Sequence, residues 1–491
     1  MLNTQFSSFD GVKEEIVEEQ NRLEASLNLS DAYFEKIISL TGDVSAGFTE
    51  VSKGEIRYGG RITFNVVYIG DGMERIEAGA EFSFKKAGFF EGGTADVKYN
   101  LGEVTLKRNG GMLYAEAVIE AVITFDKMTN VTFLSDVDVL KKEEVIEVER
   151  TLRASQTFEL DDEFECVKLK RILCSSATSA IIHAESVNGA VVCDGETVLS
   201  CVLLPFMQNN DILKEKRTIP FHLEIDVDGA EANAPCAVRA EVTRLNLKVY
   251  VDEESEKSTV TANIALKLYA FVQKSESLNS VCDVYSCKNE IAVKTENVEC
   301  DCISGMLLKT EKINGVLTCD IPENSRFIAV IGEKLEIVSI VSEGDELKID
   351  ALLTGDAVFV DGDGFTVSRR AELPVSVVAS KDFDGFSNPE FSIFNLTSKL
   401  RNGRIEIEAT LRISLFKISK NRYKLVTEVE EGAEKCPNNA AISVYIAKKG
   451  DTEWDVMKQL GASIDTVYEL NPTLEFPLSG NERVILYRQK T

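Results

Sequence analysis

The chain is predicted to be mostly β: three tandem antiparallel β domains, of sandwich or open-barrel type, followed by a small C-terminal α+β module of βααβ order. Two observations carry that prediction. A unit of domain size recurs three times in the first 440 residues, and each copy closes with a long strand of period two. The last fifty residues instead place apolar side chains at helical spacing between two short strands. A length of 491 residues exceeds one typical core, and 44% hydrophobic content is ordinary for a chain that folds throughout.

Taken in order, residues 1–30 read as a helical lead-in, with Ile16, Leu23 and Leu27 on an otherwise acidic segment. The first β domain is expected over 31–150, the second over 151–300 and the third over 301–427. Their closing strands alternate strictly. Leu113, Ala115, Ala117, Ile119, Ala121, Ile123 and Phe125 share one parity, as do residues 260–270 from Val260 to Ala270 and 405–415 from Ile405 to Leu415. Alternation over this length means one buried face. Asn109-Gly110 and Asn402-Gly403 precede two of these strands, and Asn-Gly favours the tight hairpin turn with positive φ. Earlier in each copy, Gly60, Gly195 and Gly344 open apolar strands. Each strand leads to a short segment: Phe82-Ser83-Phe84, Ile219-Pro220-Phe221 or Leu373-Pro374-Val375. Residues 428–441, acidic and containing Pro437-Asn438-Asn439, read as a solvated linker.

In the module at 442–491, a strand runs into Lys449-Gly450-Asp451-Thr452, where Asp451 or Thr452 can cap a helix. Trp454, Met457 and Leu460 follow at helical spacing, and Gly461 stops that helix. Ser463 can cap a second helix that ends at Asn471-Pro472. Trp454, Met457, Leu460, Val467 and Leu470 are expected to form the core that holds both helices on the sheet. This order, with Lys-Lys-Gly-Asp-Thr-x-Trp and Leu-Asn-Pro in place, resembles a LysM module. The resemblance implies a binding groove between the first strand–helix turn and the loop after the second helix. Here those positions are Lys449, Gly450, Asp451, Thr452 and Glu453 on one side and Asn471, Pro472 and Thr473 on the other. Glu453 departs from the apolar residue common in LysM modules, which weakens any transfer of glycan specificity.

Tandem β units of this pattern followed by such a module resemble the SPOCS–LysM spore-morphogenesis proteins of Clostridia. That resemblance implies a scaffold in spore-envelope assembly, in the mother-cell cytoplasm at the forespore surface. Its LysM module would engage the spore-coat basement ATPase. The alternative is a carbohydrate-binding protein that recognises N-acetylglucosamine polymers of peptidoglycan in cell wall or cortex.

Charge and chemistry narrow the rest. The net charge is −27, and the last fifty residues, with six Lys/Arg against seven Asp/Glu, hold only −1 of it. So acidic a surface repels nucleic acid and anionic headgroups, and neither is an expected partner. No apolar stretch suits a secretory signal or a membrane span. The eleven cysteines are scattered, as in a reducing compartment. With only two histidines, His183 and His222, and no Gly-x-Ser-x-Gly, a Ser-His-Asp hydrolase is not expected. Cys300-Asp301-Cys302 is a poor match to zinc-ligand spacing, and its cysteines read as ordinary thiols. Asp361-Gly362-Asp363-Gly364 lacks the later glutamate of a calcium loop and reads as a hairpin tip. No cofactor, metal or catalytic residue is expected.

Overall fold

Period-two sequences bury one face by stacking sheet on sheet, and each repeat does this with six strands. The computed structural model describes residues 2–27, 36–70, 72–109, 112–206, 212–251, 256–435 and 441–487. The first unit comprises β1 (Thr4–Leu27), β2 (Lys36–Ser52), β3 (Glu55–Gly70), β4 (Gly72–Ala87), β5 (Gly93–Asn109) and β6 (Met112–Val137). The second comprises β7 (Leu140–Val167), β8 (Leu169–Val187), β9 (Ala190–Pro205), β10 (Leu213–Asp226), β11 (Cys236–Val251) and β12 (Lys257–Tyr285). The third comprises β13 (Asn289–Leu317), β14 (Arg326–Glu343), β15 (Glu346–Val360), β16 (Thr366–Ser380), β17 (Gly385–Arg401) and β18 (Arg404–Glu434). In every unit the second, third and fourth strands form one antiparallel meander. The last strand lies between the first and the fifth in the other sheet. The three closing strands thus hold equivalent central positions, and the sandwich form is the one adopted.

Each core lies between its two sheets. In the first unit Ala115, Ala117 and Ile119 of β6 meet Ile62, Phe64 and Val66 of β3, all buried. Leu266, Leu268 and Ala270 play the same part in the second unit, and Ile405 to Leu415 in the third. Burying one such aliphatic side chain is worth about 1.5–3 kcal/mol, so the alternating strands dominate each unit's stability.

The unit boundaries differ from the sequence expectation. The divisions expected at 150/151 and 300/301 fall earlier, because β7 from Leu140 pairs with β12 and β13 from Asn289 pairs with β18. Both outer segments are strand. The lead-in expected to be helical is strand β1, paired with β6 from Thr4 to Leu27. Its inward residues are Val17, Leu23, Ala25 and Leu27, at even spacing, while Ile16 is exposed. The many Glu and Lys residues have high helix propensity, which a full-length strand partner overrides. The expected linker is likewise strand as far as Glu434, because Val429 packs inward while its acidic neighbours face out. Residues 436–440 lie outside the described residues. The units therefore run over 4–137, 140–285 and 289–434.

One landmark also shifts. Gly344 sits in the β14–β15 turn with φ 60°, and its counterparts are Gly54 (φ 87°) and Gly189 (φ 83°) in the β2–β3 and β8–β9 turns. Gly60 and Gly195 lie inside strands, opposite Phe82 and Phe221. A Cβ on Gly195 would stand 2.2 Å from the Phe221 ring, so this glycine makes room for the cross-strand aromatic. The Asn402-Gly403 turn has both residues at positive φ, 50° and 69°. Gly110 lies outside the described residues.

The units pack together through equivalent strands. Ile38 of β2, Leu173 of β8 and Ile331 of β14 meet in one buried cluster. The far ends of the closing strands converge in another, formed by Leu134 and Val137, Val281 and Val284, and Val426. Polar ties cross every junction. Arg239 with Asp96 and Arg153 with Asp126 join the first and second units, and Lys214 with Glu333 and Arg412 with Glu196 (2.7 Å) join the second and third. Between the first and third, Ser39 Oγ donates to Asp356 Oδ2 at 2.6 Å. The body is thus a three-part assembly within one chain. Among the described residues no helix is long and apolar enough to cross a membrane.

Candidate partner-docking site

The C-terminal module consists of β19 (Ile442–Ile446), α1 (Glu453–Leu460), α2 (Ile464–Leu470) and β20 (Arg483–Tyr487), with β19 and β20 antiparallel. Thr452 caps α1 in a capping box: its side chain accepts from Asp455 N, and the Asp455 carboxylate accepts from Thr452 N at 2.9 Å. Ser463 caps α2, accepting from Thr466 N. Both caps fall where the sequence placed them.

The module's core is Ala447, Val456, Leu460, Ala462, Val467, Leu478, Val484 and Leu486, with Leu470 against it. Leu460, Val467 and Leu470 are where the sequence reading put them. Trp454 is not in that core; it is half-buried, and its indole Nε1 donates to Asp283 Oδ2 at 2.8 Å. Met457 is buried, but outside the core cluster. The reason is helical geometry. Val456 and Leu460, four apart, face the sheet, and Trp454 and Lys458, also four apart, face the end of β12. An indole N–H shielded from water needs an acceptor, and the module's apolar core offers none.

The module is therefore docked on the second β unit. Lys458 Nζ reaches both Asp283 oxygens, at 3.0 and 2.7 Å. Burial raises the Asp283 pKa, but the hydrogen bonds from Lys458 and Trp454 outweigh it and hold the carboxyl below its usual value. Two residues on, Tyr285 is buried and carries the Lys435 ammonium 3.9 Å above its ring. Its hydroxyl stands 3.3 Å from where a Cβ on Gly461 would lie, so the helix end approaches closely.

The expected groove residues divide into two sets. Asp451 is committed to the turn: its Oδ2 accepts from Tyr445 OH at 2.6 Å and Lys448 N at 2.7 Å, and that bond pushes the Tyr445 pKa up to about 12. Asn471 is committed too. Its Nδ2 donates to Val467 O and Ile485 O, and its Oδ1 accepts from Ile485 N, each at 2.8 Å, tying α2 to β20. Thr452 is held by its capping role, and Gly450 N donates to Leu478 O at 2.8 Å. Lys449, Glu453, Pro472 and Thr473 remain exposed. Tyr468 OH donates to Glu453, linking α2 to the start of α1. Among the described residues, no hydrogen bond joins the 449–453 turn to 471–473.

Within the module, Ile442, Val444, Ile446 and Tyr487 form an exposed apolar stripe on the two-stranded sheet. Sequence reasoning passed over it, although the parity of the first three signals a face. It also missed that His183 and His222 flank Asp194 across β9, in register, with His222 Nδ1 2.7 Å from Asp194 Oδ1. Cys300 and Cys302 are both buried, and burial pushes the Cys302 thiol up to about 11. Asp361 Oδ1 accepts from Asp363 N and Phe365 N, as a hairpin tip does. Among the described residues no group of three or more His, Cys, Asp and Glu side chains could hold a metal ion. Comparison with known proteins finds no matching family model, no matching curated protein and no matching solved structure.

Proposed function

We propose that the chain is a non-enzymatic scaffold in spore-envelope assembly, whose LysM-like module docks a coat-basement protein in the mother-cell cytoplasm at the forespore surface. The motif order of the module and the tandem β units before it motivate the reading. One observation supports a protein partner over a sugar: the groove's hydrogen-bonding side chains Asp451 and Asn471 are spent internally, and Trp454 is turned to Asp283. What remains outward is a charged rim, Lys449 and Glu453, beside Pro472 and Thr473. Such a rim suits electrostatic complementarity with a protein surface.

The alternative, binding of N-acetylglucosamine polymers, rests on the module resemblance alone. The two separate in one experiment. Retention of the coat-basement protein is compared for the intact chain and for Lys449→Glu/Glu453→Lys, each with and without excess chitin oligosaccharide. The proposal expects the charge exchange to reduce retention about tenfold or more and the sugar to leave it unchanged. Displacement by low sugar concentrations, or tight sugar binding with no protein retained, would favour the glycan reading. Asp451 is left unaltered, since changing it would dismantle the turn.

A further inference from the structure

The two-stranded sheet of the C-terminal module is covered on one face only. Val484 and Leu486 of β20 turn inward to the helices. Ile442, Val444, Ile446 and Tyr487 turn the other way, and each is more than half exposed. Ile485, between Arg483 and Tyr487 on the same side of β20, completes this outer face. Contiguous exposed apolar surface marks an interaction site. Arg483 is the one charge on the face, and its side chain is exposed and has no hydrogen-bond or ion-pair partner among the described residues.

The pattern of the face says what covers it. In the ladder Ile442 lies opposite Tyr487, Val444 opposite Ile485 and Ile446 opposite Arg483. A second copy, turned over about an axis across the strands through Val444 and Ile485, stacks Arg483 of each copy on Tyr487 of the other. The same operation sets Ile442 on Ile446. The lone guanidinium thus meets an aromatic ring, twice, and no charge is pressed against aliphatic side chains. An axis along the strands would instead lay Arg483 on Ile446. Strand addition at the β20 edge is closed, since Asn471 already occupies the backbone N–H and C=O of Ile485.

Position and charge agree with a second copy. On α1, Val456 and Leu460 face the sheet, whereas Trp454 and Lys458, each two positions earlier and so on the opposite side of the helix, face β12. The helix stands between the sheet and the second β unit, and the outer face points away from that unit. Two chains meeting there join modules that hold only −1 of each chain's −27 and keep the acidic bodies apart. We propose that a second copy of this chain covers the outer face, in a two-fold dimer of stacked module sheets. Six side chains per copy fall short of the roughly 20–30 residues of a standard interface, so the dimer is weak, with a Kd of about 10–100 µM.

The test is sedimentation equilibrium of the full chain at fixed ionic strength, from about 2 to 300 µM. A monomer–dimer equilibrium is expected. Val444→Glu sets two carboxylates against each other on the axis and should leave monomer throughout. Arg483→Ala should weaken the dimer about fivefold or more, since both guanidinium–ring pairs are lost. Arg483→Tyr/Tyr487→Arg exchanges the two ends and should restore it. Val338→Glu, at an exposed valine of β14, should change nothing. All four positions are exposed, so Trp454 emission should stay that of wild type in every variant. A monomer at every concentration, a dimer that survives Val444→Glu or is lost in Val338→Glu, or an exchange variant no better than Arg483→Ala would overturn the proposal.

Discussion

The ends of the first and second β units differ in a way that explains where the C-terminal module sits. Leu134-Ser135-Asp136-Val137 and Val281-Cys282-Asp283-Val284 occupy equivalent places, with their apolar residues in one shared cluster. Both acids accept from the following backbone N–H, at 2.8 Å for Asp136 and 2.9 Å for Asp283. Their other partners differ. Asp136 is taken by Lys141, five residues on, at 2.6 Å, whereas Asp283 is taken by Trp454 and Lys458 of the module. Two residues further, the first unit has Asp138 and the second has Tyr285 beside Gly461. A repeat can thus give one copy a docking role by changing a few residues at its end and leaving the core pattern alone.

The comparison is broken most severely by damaging the module itself. Leu460→Ala should unfold it, since truncating a buried leucine costs about 2–5 kcal/mol and a module of this size has little core to spare. Trp454→Ala should instead free a folded module. Loss of the module's dispersed amide resonances in Trp454→Ala would show that the indole belongs to its core after all.

A second expectation concerns the body that presents the docking end. Glu14, on β1, is pushed up to about 7 by burial and by the neighbouring carboxylates of Asp126 and Asp301, against the opposing charge of Arg153. Its hydroxyl neighbour is Ser387. A carboxyl whose folded pKa lies above its unfolded one contributes stability below the ordinary carboxylate range. That contribution is lost as pH rises through about 7. The β body should therefore lose about 2–3 kcal/mol between pH 4.5 and 7.5 on this account, at about 1.4 kcal/mol per pKa unit. Glu14→Gln should flatten the dependence measured by urea unfolding at several pH values. An unchanged slope in the variant would remove Glu14 from the explanation.

The smallest effect is expected at the first unit. Lys141→Ala breaks an exposed ion pair that no module residue uses, so it should leave Trp454 emission and the unfolding midpoint as they were. A change in Trp454 emission there would mean that the two ends are not distinct.

The legibility of these features in the sequence follows their physics. The alternating strands were readable because Ile405 to Leu415 and their counterparts bury one face through a period that needs no partner to recognise. The caps at Thr452 and Ser463 were readable because capping is local. Strand β1 was not, since its acidic residues favour helix and only its pairing with β6, about a hundred residues away, decides otherwise. Trp454 was misplaced for the same reason. Its spacing fits a module core, and Asp283, which claims its N–H, lies 171 residues earlier. Asp451 and Asn471 looked like ligand groups because sequence does not reveal that Tyr445, Lys448, Val467 and Ile485 already occupy them.

Docking of the module on the second unit through Asp283 is tested most directly by the fluorescence of Trp454, the only tryptophan in the chain. In the wild type its emission should be that of a half-buried indole, partly protected from acrylamide. In Asp283→Ala the loss of a hydrogen bond to a charged group, worth about 1.5–3 kcal/mol, should release it. The emission then moves to longer wavelength and quenching rises, while the module's amide resonances stay dispersed. Identical emission and quenching in wild type and Asp283→Ala would contradict the docked arrangement.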